Sequence, residues 1–326
     1  MRYFVTGATG FIGGHLAREL VKRGHQVSAI VRTPDKANDL RALGIEIHKG
    51  DITDRASLVE PMRGADGVFH VAAWYKVGAK DKHVAEEINV EGTRNVLEVM
   101  RDLKIPKGVY TSTVAVYSDT HGEAVNESYF YEGEHLSEYD RTKWLAHYRV
   151  AMPMMRDGLP LVIVLPGVVY GKDDPSGLGN AMRSYLQGKL PMLPQKTAFA
   201  WAHVDDVVQG HILAMERGTI GESYIIAGEV KTYIEAMKLA EKISGVPLTR
   251  LSAPPALFLL MSKLAKPFDE WLPDGYSSEG LRVVAGVTYI GSNEKAKQRL
   301  GYNPRSLEGG LREVLPYEMD KLGIKR

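Results

Sequence analysis

Short apolar runs alternate with amphipathic stretches through the first half of the chain. Residues 3–5 read as a first strand, followed by a helix over 11–23 with Leu16, Leu20 and Val21 on one face and Gly24 as its stop. Further strands are expected at 26–31, 45–48, 67–72, 109–114 and 161–165. Long helical stretches are expected at 82–103 and 138–156. Strands alternating with helices argue for an α/β, doubly wound parallel sheet, because right-handed crossovers place helices on both faces.

After Pro166 the pattern changes. Gly, Pro and loop residues are frequent from 167 to 194, and helices are expected at 204–216, 232–244 and 309–322. The expected organisation is a dinucleotide-binding domain over 1–166 and a smaller, mixed substrate region over 167–326, with parts of 200–230 returning to the first sheet through a strand at 222–226.

Composition removes several classes of function. The 326 residues carry 41 basic and 40 acidic side chains, so no polyelectrolyte partner is implied and nucleic acid is not expected. The absence of cysteine excludes disulfides and thiol chemistry and fits a reducing, cytoplasmic setting. The N-terminus does not read as a signal peptide, and no membrane span is expected, since no stretch approaches roughly 18 apolar residues.

Thr6-Gly7-Ala8-Thr9-Gly10-Phe11-Ile12-Gly13 lies between the first strand and its helix. A glycine-rich turn there lets backbone N–H groups approach a pyrophosphate at a helix N-terminus. Gly7 suits the tight turn, Gly10 the close phosphate approach, and Gly13 the packing of helix on strand. The second strand ends in Val31-Arg32-Thr33, where dinucleotide folds that prefer NAD carry a carboxylate. Arg32 suits a 2′-phosphate, which makes NADP the expected cofactor and NAD the other possibility; a solvated surface arginine is the alternative. Asp51 and Ile52 are expected beside the adenine, with Asp51 alternatively capping the next helix. Ala72 and Ala73 offer small side chains where the backbone meets the cofactor. Asn89 is a cofactor candidate or a buried structural amide.

Tyr139 and Lys143 stand one helical turn apart in Tyr139-Asp140-Arg141-Thr142-Lys143. A tyrosine with a pKa near 10 is a poor acid–base at neutral pH unless a nearby ammonium stabilises its phenolate. Thr113, at the carboxyl edge of the strand over 109–114, is the candidate to polarise a substrate oxygen. Ser112 is the alternative, because adjacent strand residues point to opposite faces.

With these pieces the chain resembles the extended short-chain dehydrogenase/reductases over essentially its whole length. The matching pieces include the glycine turn, Asn89-Val90-Glu91-Gly92-Thr93, Tyr110 to Tyr117, Tyr139 to Lys143, Pro166 to Gly171, and His203-Val204-Asp205-Asp206-Val207. Val31-Arg32-Thr33-Pro34 looks most like the dihydroflavonol 4-reductase branch. The resemblance implies a Rossmann fold, Tyr139 as acid–base, Lys143 as its partner, Thr113 as third member, and Pro166 and Val168 near the carboxamide end of the nicotinamide. It also implies a possible homodimer through the long helices. One departure is Ser118, which follows Val116-Tyr117 where many relatives carry Gly; it is expected to be neutral for catalysis.

The remaining features weigh less. The ten histidines do not cluster at ligand spacing, so no metal is expected; His121 and His135 are pocket candidates. The run Pro255-Ala256-Leu257-Phe258-Leu259-Leu260-Met261 is expected to form a buried or pocket-covering helix rather than to touch a membrane. Trp74 and Tyr75 are further pocket candidates. The expected function is NADP(H)-dependent interconversion of a ketone or aldehyde and an alcohol. An NAD-dependent nucleotide-sugar epimerase or dehydratase, with Arg183 and Lys189 for the diphosphate, is the alternative. A non-catalytic dinucleotide sensor is a third.

Overall fold

The computed structural model describes residues 1–78, 81–272 and 274–324. Seven strands form one parallel sheet: β1 (Arg2–Thr6), β2 (Gln26–Val31), β3 (Glu46–Lys49), β4 (Gly67–His70), β5 (Gly108–Thr111), β6 (Leu161–Pro166) and β7 (Ser223–Ile226). Their spatial order is β7-β6-β5-β4-β1-β2-β3. The order reverses between β1 and β4, the switch point at which such sheets bind ligands beyond their carboxyl ends.

Side-chain alternation divides the interior into two cores. Phe4, Ile30, Val68, Tyr110 and Ile163 face one side, where the helical rods over 82–102 and 138–156 pack. Tyr3, Val5, Ala29, Phe69 and Val164 face the other, against α1 (Phe11–Lys22) and the helix Val204–Arg217. Because both faces are covered, the central strands are apolar on both sides, which is why they read as continuous runs.

Two strand ends fall short of the expected ones. β4 stops at His70 because the N–H groups of Val71 and Ala72 donate to Thr6 Oγ1, at 3.1 and 3.0 Å, and leave the ladder. β5 stops at Thr111, and Thr113 caps a short 3-10 turn, Val114–Tyr117, by accepting from Ala115 N at 3.2 Å.

A second, four-stranded sheet was not evident from periodicity. It joins Val168–Tyr170, Ala198–His203, Val230–Thr232 and Thr288–Tyr289. Every residue of Ala198–His203 is buried, so no polar alternation marks it, and its three alanines have low strand preference. No helix among the described residues is long and apolar enough to cross a membrane.

Candidate active site

The glycine turn sits at the carboxyl end of β1. Gly7 has φ +74°, and a Cβ there would stand 2.8 Å from Ala72 N, so only glycine fits beside β4. A Cβ on Gly13 would lie 2.2 Å from Gly7 O, so the first turn of α1 packs directly on the loop. Gly10 opens α1 without any side-chain cap. The N–H groups of Phe11, Ile12 and Gly13 therefore have no capping acceptor, which suits a phosphate. A cavity of about 500 Å³ opens beside the turn, with Thr9, Gly10, Phe11, Arg18 and Lys172 among its lining residues.

At the end of β2, Arg32 is exposed and has no hydrogen bond or ion pair with the described residues. Asp51 binds locally: Oδ1 accepts from Thr53 N and Oγ1, both at 3.0 Å. The helix Arg55–Met62 is capped by Asp54 instead, which accepts from Ala56 N at 3.1 Å. The Ile52 side chain is buried beneath Gly92, so only its backbone is placed to face a ligand.

Asn89 is buried, and its amide is consumed by the protein. Its Nδ2 donates to Trp74 O at 3.1 Å and Thr142 Oγ1 at 2.9 Å, while Oδ1 accepts from Trp74 N at 2.7 Å. The structural alternative for Asn89 fits these bonds: with both donors spent, it clamps the loop after β4 to the helix carrying Tyr139. It lies in a turn of π-helix, Glu87–Glu91, and a second such turn, Ala146–Ala151, follows Lys143 in its own rod. Such turns recur at functional sites.

Tyr139 enters on the helix Glu138–Leu145, capped by Ser137, which accepts from Asp140 N at 3.2 Å. The Tyr139 ring meets that of Tyr75 edge-on at 5.1 Å. Burial and the neighbouring Tyr75 push its phenol up, and a hydrogen bond with Thr113 pulls the other way. Thr113 thus faces Tyr139. Ser112 faces elsewhere, its Oγ 2.8 Å from His147 Nδ1 in the core. Lys143 is buried, and its Nζ donates to Thr111 O at 2.9 Å and Tyr110 Oη at 3.2 Å. Burial lowers its pKa to about 7. The ammonium is hydrogen-bonded to Thr111 O and the Tyr110 hydroxyl and not to the Tyr139 phenol.

Behind Lys143 runs a polar network that sequence reading missed. Thr93 bonds the Tyr110 hydroxyl, His70 Nε2 lies 3.0 Å from Thr93 Oγ1, and His70 Nδ1 lies 2.8 Å from Thr6 Oγ1. Thr6 Oγ1 already accepts two backbone N–H groups, so its hydrogen points to Nδ1, and Nε2 carries the His70 proton. Burial holds His70 neutral, with a pKa near 3. The signal was available: a lone histidine in the otherwise apolar strand Gly67–His70. At the far edge, Gly167 packs so closely that a Cβ would meet Ala200 O at 2.2 Å. Across Gly167 the chain passes from Pro166, paired with Ile226 in the first sheet, to Val168, which pairs with Trp201 in the second.

This geometry coincides with a family match over residues 3–227 to the NAD dependent epimerase/dehydratase family. The chain belongs to that family. It is 32% identical over 325 residues to a putative dihydroflavonol 4-reductase of Synechocystis sp., covering 96% of this chain and 93% of that protein. It is 28% identical to sterol demethylase protein B of Methylococcus capsulatus, covering 97% and 98%. The solved structure of gox2253 superimposes with a TM-score of 0.84 at 28% identity and 99% coverage of both chains. The protein is thus an extended short-chain dehydrogenase/reductase with a Rossmann sheet, and its class is NAD(P)-dependent oxidoreductase.

Against this family frame Ser118 stands out. It is fully buried, with φ +52° and ψ −145°, a backbone conformation for which glycine is suited, and its Oγ has no hydrogen-bond partner. Strain of this kind costs about 1–3 kcal/mol, against roughly 0.5–1 kcal/mol for the freedom glycine adds to the unfolded chain. Ser118→Gly is therefore expected to raise stability by about 1 kcal/mol in denaturant titrations. A loss of stability would show that the side chain's packing outweighs the strain.

The histidines divide by environment. His121 is exposed, 3.3 Å from Asp119, and His135 packs between Tyr131 and Trp144. His203, Asp205 and Glu313 bring ligand atoms within 4.8 Å of one another, which sequence spacing hid. Arg305 and Lys172 already balance those carboxylates, so the cluster is an ion-pair knot. Arg183 is likewise engaged, donating to Asp174 O at 2.8 Å.

Proposed function

We propose that this enzyme interconverts an apolar ketone or aldehyde and its alcohol with NADP(H). The observation that carries this reading is the meeting of Tyr139, Thr113 and Tyr75 at the carboxyl edge of β5, beside a glycine turn with an uncapped helix N-terminus. NADPH, when bound, supplies the hydride. In reduction Tyr139 gives its phenolic proton to the carbonyl oxygen; burial makes that phenol a weaker acid, and the bond with Thr113 opposes the shift. Thr113 donates to the same oxygen and orients it. Lys143 lies behind Tyr139, where its ammonium can reach the nicotinamide ribose.

The cofactor is held by Gly7, Thr9, Gly10, Phe11, Ile12 and Gly13 at the pyrophosphate, Asp51 and the Ile52 backbone near adenine, Ala72 and Ala73 along the chain, and Pro166 and Val168 at the carboxamide. Arg32 supplies the preference for NADP, being exposed and unpaired among the described residues. Arg32→Ala is expected to weaken NADPH by about 1.5–3 kcal/mol and NADH much less, the worth of a charge-assisted bond. Fluorescence titration of both cofactors checks this, and equal losses would remove Arg32 from the 2′-phosphate.

Trp74 and Tyr75 favour an apolar substrate, as do relatives named for a sterol and a dihydroflavonol. The test is NADPH consumption with aromatic and alicyclic ketones, beside UDP- and GDP-sugars followed for epimerisation without net redox. Turnover of a nucleotide sugar with no ketone reduced moves the enzyme to the epimerase branch. Cytoplasmic placement and a homodimer through the rods at 82–102 and 138–156 belong to the same proposal.

A further inference from the structure

The helix Pro255–Ala265 is apolar on its outward side as well as on the inward one, where Phe258, Met261 and Ala265 pack. Its buried residues are Phe258 and Ser262 alone. Leu257, Leu260 and Leu264, spaced three and four along the opposite side, are exposed, Leu264 by 65%. The helix is thus not the fully buried one of the two forms expected. The exposed apolar surface continues past the helix: Phe268 is 55% and Trp271 75% exposed, and Leu251 precedes the helix at 68%. Of the fifteen large hydrophobic side chains exposed among the described residues, eight fall between Leu251 and Tyr276. Single exposed apolar residues are ordinary, but this concentration in one segment marks an interaction surface.

We propose that this face docks on the surface of an anionic phospholipid bilayer. The flank of the stripe selects that occupant. Lys263 lies between Leu260 and Leu264 on the outward side, and Lys266 follows at the helix end; both are exposed and neither has an ion pair with a described residue. The nearby acids do not cancel them. Asp269 is turned inward, accepting from Ser278 N at 2.6 Å and Ser278 Oγ, and among the side chains described in the segment Glu270 is the exposed acid. Lysines beside exposed leucines can lay their stems along apolar surface and carry their ammonium groups to lipid phosphates above buried acyl chains. Trp271 and Phe268 are the aromatic types that settle at that boundary. The helix would lie on the bilayer, since none of the described helices is long and apolar enough to cross it.

The position is consistent with a role in delivery. The helix packs on Ser278–Arg282 through Ser262 Oγ, which donates to Ser278 O at 2.7 Å. From there Glu279 accepts from Gly78 N at 3.1 Å, on the loop that carries Tyr75, and Arg282 Nε donates to Leu136 O at 2.6 Å, just before the Tyr139 helix. The docking face and the mouth of the active site thus share one segment.

The experiment is vesicle flotation of the full-length protein with phosphatidylcholine alone and with added phosphatidylglycerol. Wild type is expected to float severalfold more with the anionic vesicles. Leu260→Ser/Leu264→Ser/Trp271→Ser should lose flotation with both, and Lys263→Glu/Lys266→Glu only the anionic preference. Circular dichroism confirms that the variants fold. A second reading needs little mutation: the emission difference between wild type and Trp271→Phe should shift to the blue when anionic vesicles are added. Wild type that floats with neither vesicle, equal flotation of wild type and the triple variant, or a wild-type dimer that the triple variant splits without any vesicle binding, each overturns the proposal.

Discussion

Tyr139→Phe is expected to lose roughly 10²–10⁴-fold in kcat while NADPH binds nearly as before. The phenyl ring keeps its edge contact with Tyr75, and the helix keeps its Ser137 cap, so the scaffold has no reason to move. What disappears is the one hydroxyl that faces Thr113 and can hand a proton to a carbonyl oxygen. Because a phenol is protonated at neutral pH, the loss should appear in the reductive direction there. Steady-state kinetics and a cofactor titration on the same preparation separate the two effects. A near-normal kcat would remove Tyr139 from the chemistry.

Lys143→Met should lose rate and cofactor affinity together, because one side chain supplies both the charge behind Tyr139 and the reach to the ribose. It also carries a stability signature. Burial lowers the Lys143 pKa to about 7, whereas an unfolded lysine titrates near 10.4. Between those values the unfolded chain binds more protons than the folded one, so the lysine's contribution to stability improves as pH rises through that window. The Tm of wild type minus that of Lys143→Met, without cofactor, should therefore increase from about pH 6.5 to 9. A flat difference would mean that the ammonium is solvated in the free enzyme, and unchanged NADPH affinity would dismiss the ribose role.

Much of the site was legible because its chemistry is local. Gly7, Gly10 and Gly13 announce a turn that side chains would block, and the clashes a Cβ would meet at Gly7 and Gly13 bear this out. Tyr139 and Lys143 share a helix, so spacing alone put them on one face. Strand alternation says that Thr113 and Ser112 face opposite ways; only the core contact of Ser112 with His147 shows that Thr113 is the one on the side of Tyr139.

Other assignments depended on partners far away in the chain. Asn89 reads as a ligand or a structural amide until Trp74 and Thr142 are seen to consume its amide. The path from Lys143 through Tyr110, Thr93 and His70 to Thr6 joins five elements, and no local pattern marks it. Ser118 reads as a replacement neutral for catalysis, and its positive φ, a matter of stability, is visible only in the fold.

By itself the sequence determined the doubly wound sheet, the cofactor turn and the Tyr-Lys pair, because hydrophobic period, glycine and helical spacing act over a few residues. Tertiary structure decided the second sheet, whose buried strand Ala198–His203 carries no period, and the direction of the helix Pro255–Ala265. An apolar run specifies that a surface must be covered. Which neighbour covers it, protein or another phase, depends on contacts made across the fold.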